Sequence, residues 1–463
     1  MKQPLYGVIF FLWFFYIITV ITSGCAQIGV VSGGPQDTMP PLLIRATPDN
    51  KTVQFSGNKI VLNFNEYIDV QEIQANVIVS PYPKSFPAIS NNLKTITIRL
   101  KDSLLPNTTY NINFGNAVKD INEGNIYKNL SYTFSTGKFI DSCELSGKVI
   151  LAETGKTDST LWALLYRNAT DTDVRTKKPT YITKVKSDGT FHFKYLPSDR
   201  YKIYALKDGD GNKYYSSKAE VFAFYDNEIQ IPSNAMGPVL YAYAEKKPSS
   251  NLPPVTEKKK EEKKLLYQTN LIAFKQELTD SLQITFNKPI QKLISDSIII
   301  TDTNYQKQII NNITIDSSRK VVSISKVWQP DQLLYLIISK KSVEDSNGIS
   351  LSKSDTIRFT TKQIEEYGSL QLTFKNLDLT KKPILQFVQG ETIKFRFPLT
   401  NNVWTNTLMT PGEFEIRILY DTNNNGVWDA GKYETKTQPE RVISIPEKIA
   451  IKSDWTNERE IIL

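Results

Sequence analysis

Short runs in which one apolar residue follows another at every second position recur along the chain, and turn-forming clusters separate them. Ile60, Leu62 and Phe64 are interleaved with Val61, Asn63 and Asn65. Ile96, Ile98 and Leu100 are interleaved with Thr95, Thr97 and Arg99, and Tyr110, Ile112 and Phe114 with Asn111 and Asn113. A period of two places each set on one face, which is the pattern of a half-buried strand. Ser56-Gly57-Asn58, Pro106-Asn107 and Asn122-Glu123-Gly124-Asn125 supply turns at the spacing of an antiparallel sandwich. No long helical period interrupts them, so the expected fold class is all-β.

The pattern then returns. Leu282, Ile284, Phe286 and Asn287 repeat Ile60, Leu62, Phe64 and Asn65, while Tyr335, Asp345 and Phe359 repeat Tyr110, Asp120 and Phe134 at one constant spacing. Agreement across separate strands and turns implies duplicated modules. Both copies place an Asp before a Gly/Asn turn, Asp120 through Asn125 and Asp345-Ser346-Asn347-Gly348. A turn capped by the Asp side chain is expected there in preference to a ligand loop. With 463 residues and a prior of about 100–200 residues per domain, several modules fit the length.

Composition narrows the chemistry. Hydrophobic residues at 40% and charged residues at 22% exclude wholesale disorder and a multi-span membrane protein. One histidine, His192, and two cysteines, Cys25 and Cys143, are too few for a zinc cluster, a haem site or a disulfide framework. Half of the net charge of +8 lies between Lys246 and Lys264, where seven lysines face three glutamates. No basic stripe interleaved with aromatics appears, so nucleic acid is not an expected partner.

Lys2, an apolar run from Val8 to Ile21 and the small residues Thr22-Ser23-Gly24 before Cys25 have the layout of a secretory signal peptide. The run falls short of the roughly 20 residues that span a bilayer, which favours a cleaved signal over a permanent anchor. Ser-Gly-Cys resembles the lipobox of bacterial lipoproteins. That resemblance implies a diacylglycerol on Cys25 and an acyl chain on its amine, which at about 0.8 kcal/mol per buried CH₂ would hold the chain to a bilayer permanently. Cys143 is then a lone thiol, expected as a structural residue. Ser32-Gly33-Gly34-Pro35-Gln36-Asp37-Thr38 and Pro40-Pro41 read as a tether. The string from Cys25 onward resembles a Bacteroidota lipoprotein family in which such a segment precedes an SbsA-like bacterial Ig-like domain, and the Asp-Gly turns fit that pattern.

Between the Ig-like copies lies a module of a second kind. Gly147-Lys148-Val149-Ile150, Asp188-Gly189-Thr190-Phe191-His192-Phe193, Leu196-Pro197 and Tyr201 through Ala205 resemble the prealbumin-like, carboxypeptidase-regulatory-type β-sandwich. Alternation puts His192 opposite Phe191 and Phe193, on the exposed face, with no second His or Cys beside it. From about Tyr367 a diverged relative follows, with Pro411 through Ile418 answering Leu196 through Ala205 and Asp421 answering Asp208. The expected organisation is a signal peptide over 1–24, a tether over 25–39, an Ig-like domain over 40–137 and a prealbumin-like sandwich over 138–245. A charged Pro/Lys/Glu linker over 246–264, a second Ig-like domain over 265–362 and a second prealbumin-like sandwich over 363–463 complete it.

Two loops carry metal-like chemistry. Asp421, Asn423, Asn425, the Val427 backbone and Asp429, with Gly426 at the sixth position, match the pattern by which oxygens converge on calcium. Lys432 stands where a closing carboxylate belongs. Asp208, Asp210 and Asn212 keep the first three positions, with Lys213 in place of the glycine. The aromatics that follow, Tyr214-Tyr215 and Trp428 with Tyr433, suit stacking on a sugar or, more commonly, capping a sandwich core. Asp37-Thr38-Met39, Asp102-Ser103-Leu104, Asp280-Ser281-Leu282, Asp296-Ser297-Ile298 and Asp355-Thr356-Ile357 look like the O-glycosylation acceptor triplet of Bacteroidota exported proteins.

No Gly-x-Ser-x-Gly elbow, P-loop or His-based pair occurs, so catalysis is not expected. The expected function is that of an outer-membrane lipoprotein acting as a structural or partner-binding module of the cell envelope. The alternative is a carbohydrate- or calcium-binding accessory lipoprotein that uses the loops of the prealbumin-like domains. Partners would be the bilayer, through acylated Cys25, and an envelope protein or glycan. Ala26-Gln27-Ile28-Gly29 lack the acidic cluster that resembles a surface-export signal, which favours the periplasmic face.

Overall fold

The computed structural model describes residues 36–232, 237–246 and 264–463, together with Trp13. The expected signal peptide, Cys25, most of the tether and nearly all of the charged linker lie outside the described residues. What is described is almost entirely β-structure with a few single-turn helices. It divides into two compact units: the first extends to Ile140 apart from Ser80–Tyr82, and the second takes in Asp141–Leu463.

In the first unit, strands Leu43–Thr47, Lys59–Phe64, Thr95–Arg99 and Ala88–Asn92 form one sheet in that order. Ile78–Ser80, Thr109–Asn113 and Ser131–Ser135 form another. The alternating residues do what their period dictates: Ile60, Leu62, Phe64, Ile96, Ile98, Ile112 and Phe114 are buried in one apolar core. Phe134 joins it, stacked on Tyr110 at 5.1 Å between ring centroids.

Residues 265–361 repeat this arrangement inside the second unit. Tyr267–Thr269, Leu282–Phe286, Val321–Ser325 and Asn312–Ile315 follow the same spatial order, and Ile298–Thr301, Leu333–Ile338 and Asp355–Thr361 form the other sheet. Where the first copy has an isolated parallel bridge from Thr52 to Phe134, the second has a short parallel strand, Lys275–Gln276. Asn65 and Asn287 do the same job in both copies. Their side-chain oxygens accept the backbone N–H of Leu42 at 2.7 Å and of Leu266 at 2.9 Å, fixing the strand that precedes each sheet.

The paired aspartates cap turns. Asp120 is 1% exposed and accepts the N–H groups of Glu123 and Gly124 at 2.7 Å and of Asn125 at 3.0 Å. Burial opposes its charge, but these donors outweigh that, and its pKa lies below the ordinary carboxylate value. Asp345 accepts from Asn347 and Ile349, both at 2.9 Å. The copies diverge one turn away. Lys288 sits 3.5 Å from Asp345, whereas its counterpart is Glu66, whose pKa is raised by burial and then by the Asp120, Asp37 and Glu123 carboxylates.

The two remaining modules share one eight-stranded topology. Cys143–Leu151 pairs with Thr190–Leu196 on one side and, in parallel, with Val239–Ala242 on the other. Gly368–Lys375 likewise pairs with Val403–Met409 and, in parallel, with Thr456–Ile462. The facing sheets also correspond. Tyr181–Lys184, Trp162–Arg167, Arg200–Leu206 and Phe222–Phe224 match Thr392–Pro398, Pro383–Gln389, Gly412–Tyr420 and Arg441–Ser444. Ile229–Gln230 and Ile449–Ile451 each add to the third of these strands. The duplication therefore extends to every strand, although few side chains are shared.

Two variants test the charge logic of the Asp turn. Asp120→Ala orphans three N–H groups and is expected to lower stability by roughly 1–3 kcal/mol in urea unfolding. A depressed folded pKa contributes stability above the unfolded pKa that is lost as pH falls through the folded value, so the deficit should shrink in acid. Glu66 has the opposite sign, being favourable to the fold only while protonated. Glu66→Gln should therefore raise the melting temperature at about pH 7 and leave it unchanged at about pH 3.

Candidate functional site

The two loops with metal-like patterns occupy equivalent places, each between the third and fourth strands of its five-stranded sheet. The loop after Arg200–Leu206 is closed by its own lysine. Lys213, in the left-handed region at φ 65°, bonds through Nζ to the fully buried Asp208 carboxylate. Asn212 donates to Asp210 through its backbone at 3.1 Å and its amide at 2.7 Å. Asp208, Asp210 and Glu220 offer carboxylate oxygens within 4.8 Å of one another. Sequence spacing does not announce Glu220, because it returns from the far end of the loop to accept the N–H groups of Ser216 and Ser217 at 2.9 Å.

The loop after Gly412–Tyr420 closes by the same device with different residues. Asp421 is 2% exposed and accepts from Gly426 N–H at 2.7 Å and Asn425 N–H at 3.1 Å. Gly426 has φ +80°, where a Cβ would be strained. Asn423 and Asn425 direct their amides to Asp429 at 2.6 and 2.7 Å, and Asn425 Oδ1 accepts from Val427 N–H. Glu440 is the counterpart of Glu220. Its carboxylate accepts from Thr422 N–H at 2.8 Å and Asp429 N–H at 3.2 Å, while its backbone oxygen accepts the Trp428 indole N–H. The groups able to ligate a hard cation here are thus Asp421, Asn423, Asn425, the Val427 carbonyl, Asp429 and Glu440. Each of the side chains already closes the turn through protein hydrogen bonds.

This second loop does something no local pattern in the chain signals: it joins the two eight-stranded modules. Tyr433, 4% exposed, enters an aromatic pocket of the earlier module made by Tyr204, Tyr215, Phe222 and Phe224, with ring centroids at 6.0, 6.2, 5.2 and 5.3 Å. Its hydroxyl donates to the Asp171 carbonyl at 2.7 Å, and its N–H to Glu245 at 2.9 Å. Burial and the Tyr433 hydroxyl beside it push the Tyr204 pKa well up. Gln438 donates to Asp226 at 2.9 Å, Lys218 pairs with Glu434 at 2.7 Å, and Val442 N–H bonds to the Ala152 carbonyl at 3.0 Å. Gly155 completes the contact, since a Cβ there would lie 2.5 Å from Ser444 N. Of the aromatics read as core caps or sugar platforms, Tyr215 and Tyr433 are consumed by this junction, while Trp428 is half-buried beside Ile384, Leu419 and Val442.

The remaining singled-out residues are placed as follows. Phe191 and Phe193 are buried, and His192 on the opposite face bonds to Glu144 at 2.8 Å. Cys143 is a half-buried free thiol packed against the core of its module. No helix among the described residues is long and apolar enough to cross a membrane.

Residues 37–136 match the bacterial Ig-like domain family model (Big_5). No curated protein matches the chain. Among solved structures, the N-terminal part of the bacterial S-layer protein SbsC is 14% identical, with 40% of this chain and 44% of that one covered and a TM-score of 0.21. BcpA, the major pilin subunit of Bacillus cereus, is 11% identical over 69% of this chain and 98% of that one, with a TM-score of 0.16. Such scores are far below those of chains that share a whole fold.

Tyr433→Ala is expected to cost about 3–5 kcal/mol in the melting of the second unit, and Tyr433→Phe about 1 kcal/mol. Equal small losses would show that the ring does not hold the junction. Lys213→Met leaves Asp208 without its ammonium beside Asp210 and Glu220, so the melting temperature should fall and recover on addition of calcium. A variant insensitive to calcium would show that these carboxylates do not gather a cation.

Proposed function

We propose that this protein is a lipid-anchored, non-catalytic structural element of the bacterial cell envelope. Cys25 carries the acyl anchor in the outer membrane, the chain faces the periplasm, and the β-sandwich modules hold a partner-binding surface away from the bilayer. The observation that carries this reading is the use made of the buried acids. Asp120, Asp345, Asp208 and Asp421 spend oxygens on the N–H groups and ammonium of their own turns or their neighbours, as turn-closing groups of a structural scaffold do. The bacterial Ig-like match over residues 37–136 and the duplicated topology support it.

Mass spectrometry of protein purified from membranes tests the anchor. The expected mature chain begins at Cys25 and carries the added mass of its acyl groups, and Cys25→Ala is expected to leave the membrane fraction. An unmodified amino terminus upstream of Cys25 would overturn the reading. Crosslinking in intact cells should then recover an envelope protein or glycan.

A further inference from the structure

Where the two prealbumin-like modules meet, they leave a cleft of about 310 Å³ lined by Glu153, Glu245, Gln386, Arg396, Trp428 and neighbouring small or aliphatic side chains. Gln386 is only 3% exposed overall, and its side chain forms part of the cleft wall. An amide on the cleft wall with no protein partner is open to hydrogen bonding by whatever enters. Register places Gln386 between Arg396 on one side and Arg417 on the other, so the three share a sheet face. Arg396 has no ion pair among the described residues, and Arg417 Nε is buried without a partner.

We propose that this cleft binds a neutral polyhydroxylated ligand, one or two rings of a saccharide. The charge balance selects the class. A fixed anion meets the Glu153 and Glu245 carboxylates, and a fixed cation meets Arg396. Vicinal hydroxyls use both, donating to carboxylates and the Gln386 carbonyl while accepting from the guanidinium and the Gln386 amide. Trp428, Ile393, Val427 and Ala430 supply the apolar wall that a sugar ring also needs. The volume is at the small end of the roughly 300–1,000 Å³ usual for ligand pockets. The inference deepens the ligand-binding alternative for these loops and does not depend on the lipid anchor or on calcium.

Isothermal titration of the mature-length chain with maltotriose, cellotriose and triacetylchitotriose provides the test. At least one should bind with a Kd of about 1 mM or tighter. Gln386→Leu and Arg396→Met should each weaken that binding about tenfold without lowering the melting temperature. Trp428→Ala also removes core packing, so the two polar variants carry the argument. Binding of none of the three saccharides would overturn the proposal, as would binding that ignores both variants. Acetate or methylammonium binding in their place, lost in the same variants, would overturn the ligand class. None of these outcomes bears on whether Cys25 is acylated, which mass spectrometry reads separately.

Discussion

The insertion of Tyr433 into the aromatic pocket of the earlier module is the contact on which the architecture of the second unit turns. Four rings surround it, and its hydroxyl and amide each find a part-buried acceptor. Apolar area and satisfied polar groups coincide at one side chain, which is how a small contact can hold two sandwiches in register. The ion pairs around it, such as Lys218 with Glu434, are exposed and add little by themselves. The cleft beside Trp428 lies where these two modules meet.

Duplication shows which features each fold requires. In the Ig-like copies the strand order, the Asn that fixes the preceding strand and the Asp that caps a turn are kept, while the charge beside that Asp changes from Glu66 to Lys288. In the two eight-stranded copies the loop after the third strand of the larger sheet always closes on a buried Asp and a glutamate returning from its far end. The means differ: an ammonium from Lys213 in one, and amides from Asn425 and Gly426 in the other. Closure is the common requirement, and the spare chemistry has been free to diverge.

Much of this was legible in the residues. The period of two predicted which side chains of Lys59–Phe64 and Leu282–Phe286 are buried, and the spacing of Asp120 and Asp345 from their glycines predicted capped turns. The correspondence of Asp421 with Asp208 also holds at the level of topology. Glu220 and Glu440 escaped notice because a carboxylate many positions away has no fixed spacing to the loop it joins. The reading of Tyr433 as a core cap was correct about burial, but the core it enters belongs to another module.

Local order is decided by interactions between near neighbours, so the sequence by itself determined the strands, their turns and the repeat of two module types. It also carried the layout of the amino-terminal segment ahead of Cys25. The tertiary structure alone decided that the two eight-stranded modules dock, that Gln386 lines the cleft between them, and that two glutamates and an arginine share that cleft. These depend on residues far apart in the chain meeting across a packed surface, where shape complementarity, and no short-range period, selects the partners.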